Sequence, residues 1–384
     1  MKLKLIALAV AGATMAPVAM AQTANPVTLY GTLNIDFDSV KATNAVGTGA
    51  NVGARNRVTP NSSNFGFRGT EDLGGGLKAF FQLEMGSVAI DAGGGNLAGR
   101  NSAVGLQGSA GTILLGNWDS PYKAATGVAD VFYGTGIANN VNVMSGNSTP
   151  TAVQGATRNG FDRRVSNVVQ WWSPAWNGFS ARAAYGANEA RTNSAAAVQS
   201  NPALSAFSVT YAQGPFTVAG AYEKHDQFAN TATASTKDTG LKFVFTAVVG
   251  STTFGLISER LKFQGNIAGT ALSKTFAAGT GTEAKVNAYY ASLLHRMGPW
   301  ALRFAVGADR GVTVNTAAGA PDTRSRMLVA GTSYTFSKRT DGYLVFSQIK
   351  NDNNARNDFA IGSVGGVANG ADPRGLGIGI RHTF

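Results

Sequence analysis

The chain has 384 residues, 49 glycines, no cysteine and a formal net charge of +11. Charged residues make up only 14%, against roughly a quarter in soluble domains, while the hydrophobic share of 44% is ordinary. The missing cysteines exclude a disulfide-stapled scaffold, and past residue 21 no stretch is apolar enough for a spanning helix, so a helical membrane protein is excluded too.

Lys2 and Lys4 form a basic start, Leu3 to Ala11 an apolar run too short to span, and Ala19-Met20-Ala21 an A-x-A cleavage site. The expectation is a signal peptide over 1–21, cut between Ala21 and Gln22, and a mature domain over 22–384. Removing Lys2 and Lys4 lowers the charge from +11 to +9. For an exported chain nucleic acid is not an expected partner, and basic residues lining a pore explain the balance better.

The mature chain then alternates with a period of two, the mark of strands with one apolar and one polar face. In Val27–Val40, Leu29, Gly31, Leu33, Ile35 and Phe37 oppose Tyr30, Asn34, Asp36 and Asp38. A Gly- and Asn-rich loop follows to about Pro60. Ser62–Gly86 reads as a hairpin turning at Glu71–Gly76, each arm long enough to cross a bilayer at a tilt. Arg100–Gly108 and Thr112–Trp118 form a second hairpin. Asp119–Phe161 has no strand pattern, and a loop of that length in a compact fold is functional or disordered.

Hairpins with short turns follow from Arg163 to Lys350, and Gly375–Phe384 closes the chain. We count sixteen strands, with short turns alternating with longer loops. That pattern predicts an all-β fold, an antiparallel transmembrane β-barrel with long external loops and short periplasmic turns. Aromatic residues near strand ends, such as Trp171, Trp176, Phe179, Tyr211, Phe216, Trp300 and Phe336, fit interfacial girdles. In Gly342–Lys350, Leu344 and Phe346 fall on the face expected to be polar. Packing against a loop or a subunit contact would explain them.

Alternation places Asp36, Arg68, Lys78, Glu84, Arg164, Arg182, Glu223, Lys242 and Arg303 in the lumen. Rings of fixed charge in a narrow passage set ion preference. Asp119 and Asp130, from the long loop, supply a candidate opposing negative face. His225, His295 and His382 lie on different strands, and no Gly-x-Ser-x-Gly, His-Glu-x-x-His or phosphate-loop motif is present. No catalytic set, metal site or cofactor is expected.

Three blocks resemble one family: Val27-Thr28-Leu29-Tyr30-Gly31, the long Phe65–Ala79 block with Gly69-Thr70-Glu71-Asp72-Leu73-Gly74-Gly75-Gly76, and Gly379-Ile380-Arg381-His382-Thr383-Phe384. They are similar to the Gram-negative general porins of β-proteobacteria. The resemblance implies a homotrimeric diffusion channel for ions and small hydrophilic solutes in the outer membrane, in contact with its lipid and lipopolysaccharide. It implies that the third external loop, here Asp119–Phe161, folds inward as a constriction. It also implies that the terminal Phe384 is read by the barrel-assembly machinery. Anion-preferring members carry a ladder of lumenal arginines. Arg164 falls at one such position, Asn64 and Asn101 occupy two others, and Leu114 and Asn117 stand where relatives often have basic residues. The expectation is a weak anion preference. A substrate-specific channel with a lumenal binding site, a barrel enzyme and an adhesin remain open alternatives.

Overall fold

The computed structural model describes residues 27–85, 98–134, 136–145, 151–153, 156–158, 160–187, 201–228, 236–267, 270–275, 281–315 and 320–384. The expected leader and its cut between Ala21 and Gln22 lie outside them. Seventeen strands form one sheet: β1 (Thr28–Thr43), β2 (Val52–Pro60), β3 (Asn64–Gly74), β4 (Leu77–Glu84), β5 (Ser102–Gly108), β6 (Gly111–Asp119), β7 (Arg164–Trp172), β8 (Phe179–Ala187), β9 (Ala203–Gln213), β10 (Phe216–Asp226), β11 (Lys237–Val249), β12 (Thr252–Ile267), β13 (Gly281–Met297), β14 (Trp300–Val314), β15 (Ser325–Ser337), β16 (Thr340–Asn351) and β17 (Asp372–Thr383).

β2 and β3 are halves of one stave. Both pair with β1, β2 along Ile35 to Ala42 and β3 along Thr28 to Thr32. The barrel therefore has sixteen staves, all antiparallel. It closes where β1 meets β17, in unbroken register from Thr32 opposite Thr383 to Thr43 opposite Asp372. At the foot of this seam Gly31 and Phe384 exchange backbone hydrogen bonds of 3.2 and 3.1 Å. A Cβ at position 31 would lie 2.8 Å from the Asn64 carbonyl oxygen and 2.6 Å from the Phe384 ring, so glycine leaves room for the terminal aromatic against the seam.

Of residues 41–60, expected as loop, 41–43 instead extend β1 and 52–60 form β2, leaving 44–51 as the loop. The alternation is hard to see because Ala54, Asn56 and Pro60 dilute the outer face of β2. Its inner face is polar and finds its partners across the strand pair. Arg57 donates to both Asp38 carboxylate oxygens at 2.7 and 3.2 Å, and Thr59 donates to Asp38 at 3.2 Å.

Each stave turns apolar side chains outward. Leu29, Phe37 and Ile378 are 49%, 53% and 62% exposed, while Asn34, Asp36 and Asp38 between them are buried. Exposed large apolar residues repeated around a closed sheet are what a lipid-facing band requires. Leu344 belongs to that band, and Val345, Ser347 and Ile349 face inward. The inner face is apolar there because Phe132, from the segment after β6, shares one apolar cluster with Val329, Val345 and Ile349.

That segment begins with helix α1 (Pro121–Thr126), whose Ser120 side chain accepts the Lys123 N–H and whose first turn opens on proline. It packs against the inward side chains of β10 to β16. Tyr122 donates its hydroxyl to Glu259 at 2.8 Å, and the Ser145 N–H reaches the same carboxylate at 2.6 Å. Ser292 donates to the Ala129 carbonyl at 2.9 Å. At the kink between β2 and β3, Asn61 accepts the Gly136 N–H at 2.9 Å and Ser62 donates to the Gly134 carbonyl at 3.1 Å.

Candidate functional site

The end of β6, the start of β7 and the residues before β5 bring three sequence-predicted residues together. Arg164 places one guanidinium nitrogen 2.9 Å from the Asp119 carboxylate and donates to the Asn101 side-chain oxygen at 2.7 Å. Asn101 in turn donates to Asp119 at 3.2 Å. The Arg164 charge is thus matched by a carboxylate two strands' width from Glu84, which pairs with Arg100 at 2.5 Å and accepts the Tyr30 hydroxyl at 3.1 Å. Asn117 does not join this cluster through charge. It donates to the Arg100 carbonyl at 2.9 Å. Asn64 lies apart, donating to the Ser62 carbonyl at 3.5 Å.

Other lumen carboxylates are matched in the same way. Asp38 meets Arg57 at 2.7 Å, Asp309 meets Lys274 at 2.9 Å, and Lys242 lies between Asp162 at 2.7 Å and Glu259 at 3.3 Å. Lys242 also donates to Thr126 at 2.6 Å, so the helix, the bend just before β7 and two staves meet at one buried ammonium. Burial pushes the Asp162 carboxyl up, but Lys242 and Lys123 outweigh it and hold the pKa below the usual range.

Arg68, Lys78 and Arg182 differ from these. All three are exposed on the polar face of their strands, and among the described residues none has a carboxylate within ion-pair distance. Arg68 lies over the Tyr30 ring at 4.9 Å and Arg182 over Trp172 at 5.0 Å. Aromatic faces orient these guanidinium groups without cancelling their charge.

Asp130 does not form a carboxylate face opposite Arg164. It is turned into its own segment, accepting the Phe132 and Gly134 N–H groups at 2.9 and 2.7 Å. Burial raises its pKa despite those two donors. The turn it holds presents Tyr133. The Arg303 and Arg381 guanidinium carbons each lie 4.6 Å from the Tyr133 ring centre, and Arg303 also donates to its hydroxyl. Arg57, Arg100, Lys274 and Arg381 join the lumen cations without having been expected there. Arg381 alternates with Ile378 and Ile380, a signal available in the sequence.

The histidines stay separate. His225 contacts Glu223 at 2.9 Å and is stacked between Phe161 and Phe228, with ring separations of 4.5 and 4.6 Å. His295 bonds Thr252, and His382 bonds Thr340.

The fold and this lining agree with known proteins. A family model described as Gram-negative porin matches residues 7–354. Outer membrane porin protein 32 of Delftia acidovorans is 30% identical over 392 residues, covering 100% of both chains. The anion-selective porin from Comamonas acidovorans superposes with a TM-score of 0.72 at 23% identity, over 94% of this chain and 99% of that one. A trimer form of in-vitro folded OmpT from Vibrio cholerae superposes with a TM-score of 0.59 at 14% identity, again over 94% and 99%. The two structural likenesses concern the fold. Through the family match and the full-length relative, the chain belongs to the Gram-negative porin family.

Proposed function

We propose that this outer-membrane porin passes small hydrophilic solutes passively with a preference for anions, and that residues 120–145 form the constriction beside which they travel. The observation that carries the reading is the unequal treatment of lumen charge. Several lumen carboxylates are neutralised by neighbouring cations, as in Asp119–Arg164 and Asp38–Arg57, and Asp36 is buried against the Tyr343 hydroxyl, whereas Arg68, Lys78 and Arg182 keep unmatched charge facing water. Unmatched cations in a low-dielectric passage raise the local anion concentration. Arg164, the expected ladder residue, contributes less than its position suggests because Asp119 cancels it. Arg68 and Lys78 take over that role, with Asn64 and Asn101 as neutral hydrogen-bonding lining. The three histidines in unrelated surroundings support a channel and not a hydrolase.

Assembly follows the same logic. The outer faces of β1, β4, β5 and β17 carry Leu29, Phe37, Leu83, Val104 and Ile378, an apolar surface suited to a second copy, and a homotrimer is the proposed state. Phe384, fitted over Gly31, is the proposed recognition element for barrel-assembly machinery. The deciding experiment is the reversal potential of the purified protein in a planar bilayer under a potassium chloride gradient. The expected sign is that of chloride preference, with conductance steps in groups of three. A potassium-selective potential would overturn the charge argument.

A further inference from the structure

The inner wall of β4 to β8 carries a plate of aromatic rings. Leu114, Val168 and Ala184 belong to a buried aliphatic cluster, and Phe80, Trp118 and Trp172 lie over it, each half-buried. Strand pairing sets Phe80 opposite Gly105 and Gly105 opposite Leu114. The Phe80 ring spreads across that glycine, where a Cβ would come within 2.6 Å of it. Trp118 and Trp172 meet at 5.5 Å between ring centres, inclined by 59°. The Trp172 N–H donates to the buried Gln170 at 3.1 Å, and Gln170 donates to the Asp119 carbonyl at 3.0 Å, which fixes the indole in place. Girdle aromatics point to lipid, as Trp171 does, and the interior of a diffusion pore is polar. Neither requirement accounts for three rings turned inward.

The edge of the plate is cationic. Arg182 lies directly opposite Trp172 in the strand pairing and stacks on its ring at 5.0 Å. Lys78 stands two residues before Phe80, on the same face of β4. Both cations are exposed, while Asp119 and Glu84 on this wall are taken, by Arg164 at 2.9 Å and Arg100 at 2.5 Å. Arg and Lys supply donors only, so the hydroxyl hydrogens of a sugar find no acceptor in them, whereas a carboxylate is all acceptor. Free cations beside a plate of rings complement a solute that is itself a ring bearing a carboxylate. We propose that this wall binds aromatic carboxylates, the benzoate class, during passage. The ring of the solute lies against Trp118 and Phe80, and its carboxylate meets the Arg182 guanidinium, which Trp172 already orients. The inference rests on the anion-channel reading and deepens it by naming the solute class.

The test uses the purified barrel in a planar bilayer bathed in potassium chloride. Benzoate, cyclohexanecarboxylate, acetate and benzyl alcohol are added in turn while the conductance is followed. Benzoate is expected to block saturably, at a concentration about tenfold below that needed with cyclohexanecarboxylate, because ring stacking adds to equal apolar bulk. Acetate and benzyl alcohol should block more weakly than either. W118L and F80L should each bring benzoate close to cyclohexanecarboxylate and, as neither residue is charged, keep the parent's reversal potential. R182Q should weaken both ring acids by about tenfold, since it removes the charge-assisted contact common to them. Equal block by benzoate and cyclohexanecarboxylate in the unsubstituted protein would overturn the proposal, as would a benzoate preference that survives both W118L and F80L. The reversal potential without added acid reads the sign of selectivity by itself, so failure of the anion-channel reading and failure of this site remain distinguishable.

Discussion

The two halves of the barrel treat their inner faces differently. Along β10 to β16 the lumen side is dry. Residues 120–145 cover it, Tyr122, Phe161 and Phe263 are fully buried, and the Lys242 ammonium is sealed between two carboxylates. Along β3 to β8 a smaller buried cluster around Leu114 and Val168 covers part of the inner face, but the rest is wet, and Arg68, Lys78 and Arg182 stay exposed and unmatched. One half spends its charges on holding a segment in place; the other leaves them available to passing ions. Stability and selectivity can therefore be altered separately, by substitutions on opposite sides of one pore.

The largest expected effect is on the dry side. K242M strands Asp162 and Glu259 without their shared cation, and breaking a buried pair this way costs about 3–5 kcal/mol. Hydrogen exchange should find the 120–145 amides opening together, and unchanged protection would mean that this cluster does not anchor the segment. Tyr133 comes next. Y133F loses the hydroxyl partner of Arg303 but keeps both guanidinium contacts, a change of about 1 kcal/mol, whereas Y133A loses those contacts as well. Melting temperatures that fail to rank Y133A below Y133F would separate Tyr133 from the two arginines.

Acid should sort the two loop carboxylates. Asp162 is depressed, so its contribution is complete above the unfolded value of about 3.9 and is lost as the pH falls through its lower folded pKa. Asp130 is raised, so it has the opposite sign and strengthens the fold as the pH falls from its raised value to about 3.9. Single-channel traces should be quietest near that pH and noisier below it. D130N should remove the change on the alkaline side and leave the acid side intact. The smallest effect on stability belongs to the wet side. R68Q/K78Q/R182Q should shift stability by less than about 0.5 kcal/mol, yet move the reversal potential toward zero. A potential that stays put would place the selectivity elsewhere.

Much of this architecture is legible in the sequence, because a strand between lipid and water must alternate. Leu29 to Phe37 and Leu376 to Ile380 declare their faces without help. Alternation fails where a third surface intervenes. Val345 and Ile349 face inward yet are apolar, since Phe132 covers them, and no local pattern records a partner two hundred residues away. The β2 half-stave hides for the converse reason, an outer face thinned by Ala54, Asn56 and Pro60. At the pore, residue type was readable and pairing was not. Arg164 and Asp119 lie 45 positions apart in sequence, so their mutual cancellation appears only in three dimensions.

The seam between β1 and β17 has a consequence in time. Thr32 and Thr383, neighbours across it, are 351 residues apart in the chain. Closure entropy grows slowly with loop length, so the join is affordable at equilibrium. Contacts so distant are slow to form, however. The first stave exported is the one that waits longest for its second neighbour, with an open edge and an apolar face available to any other unfinished strand. A chain closed in this way depends on being escorted between export and insertion, and the arrival of its last residue ends the exposure.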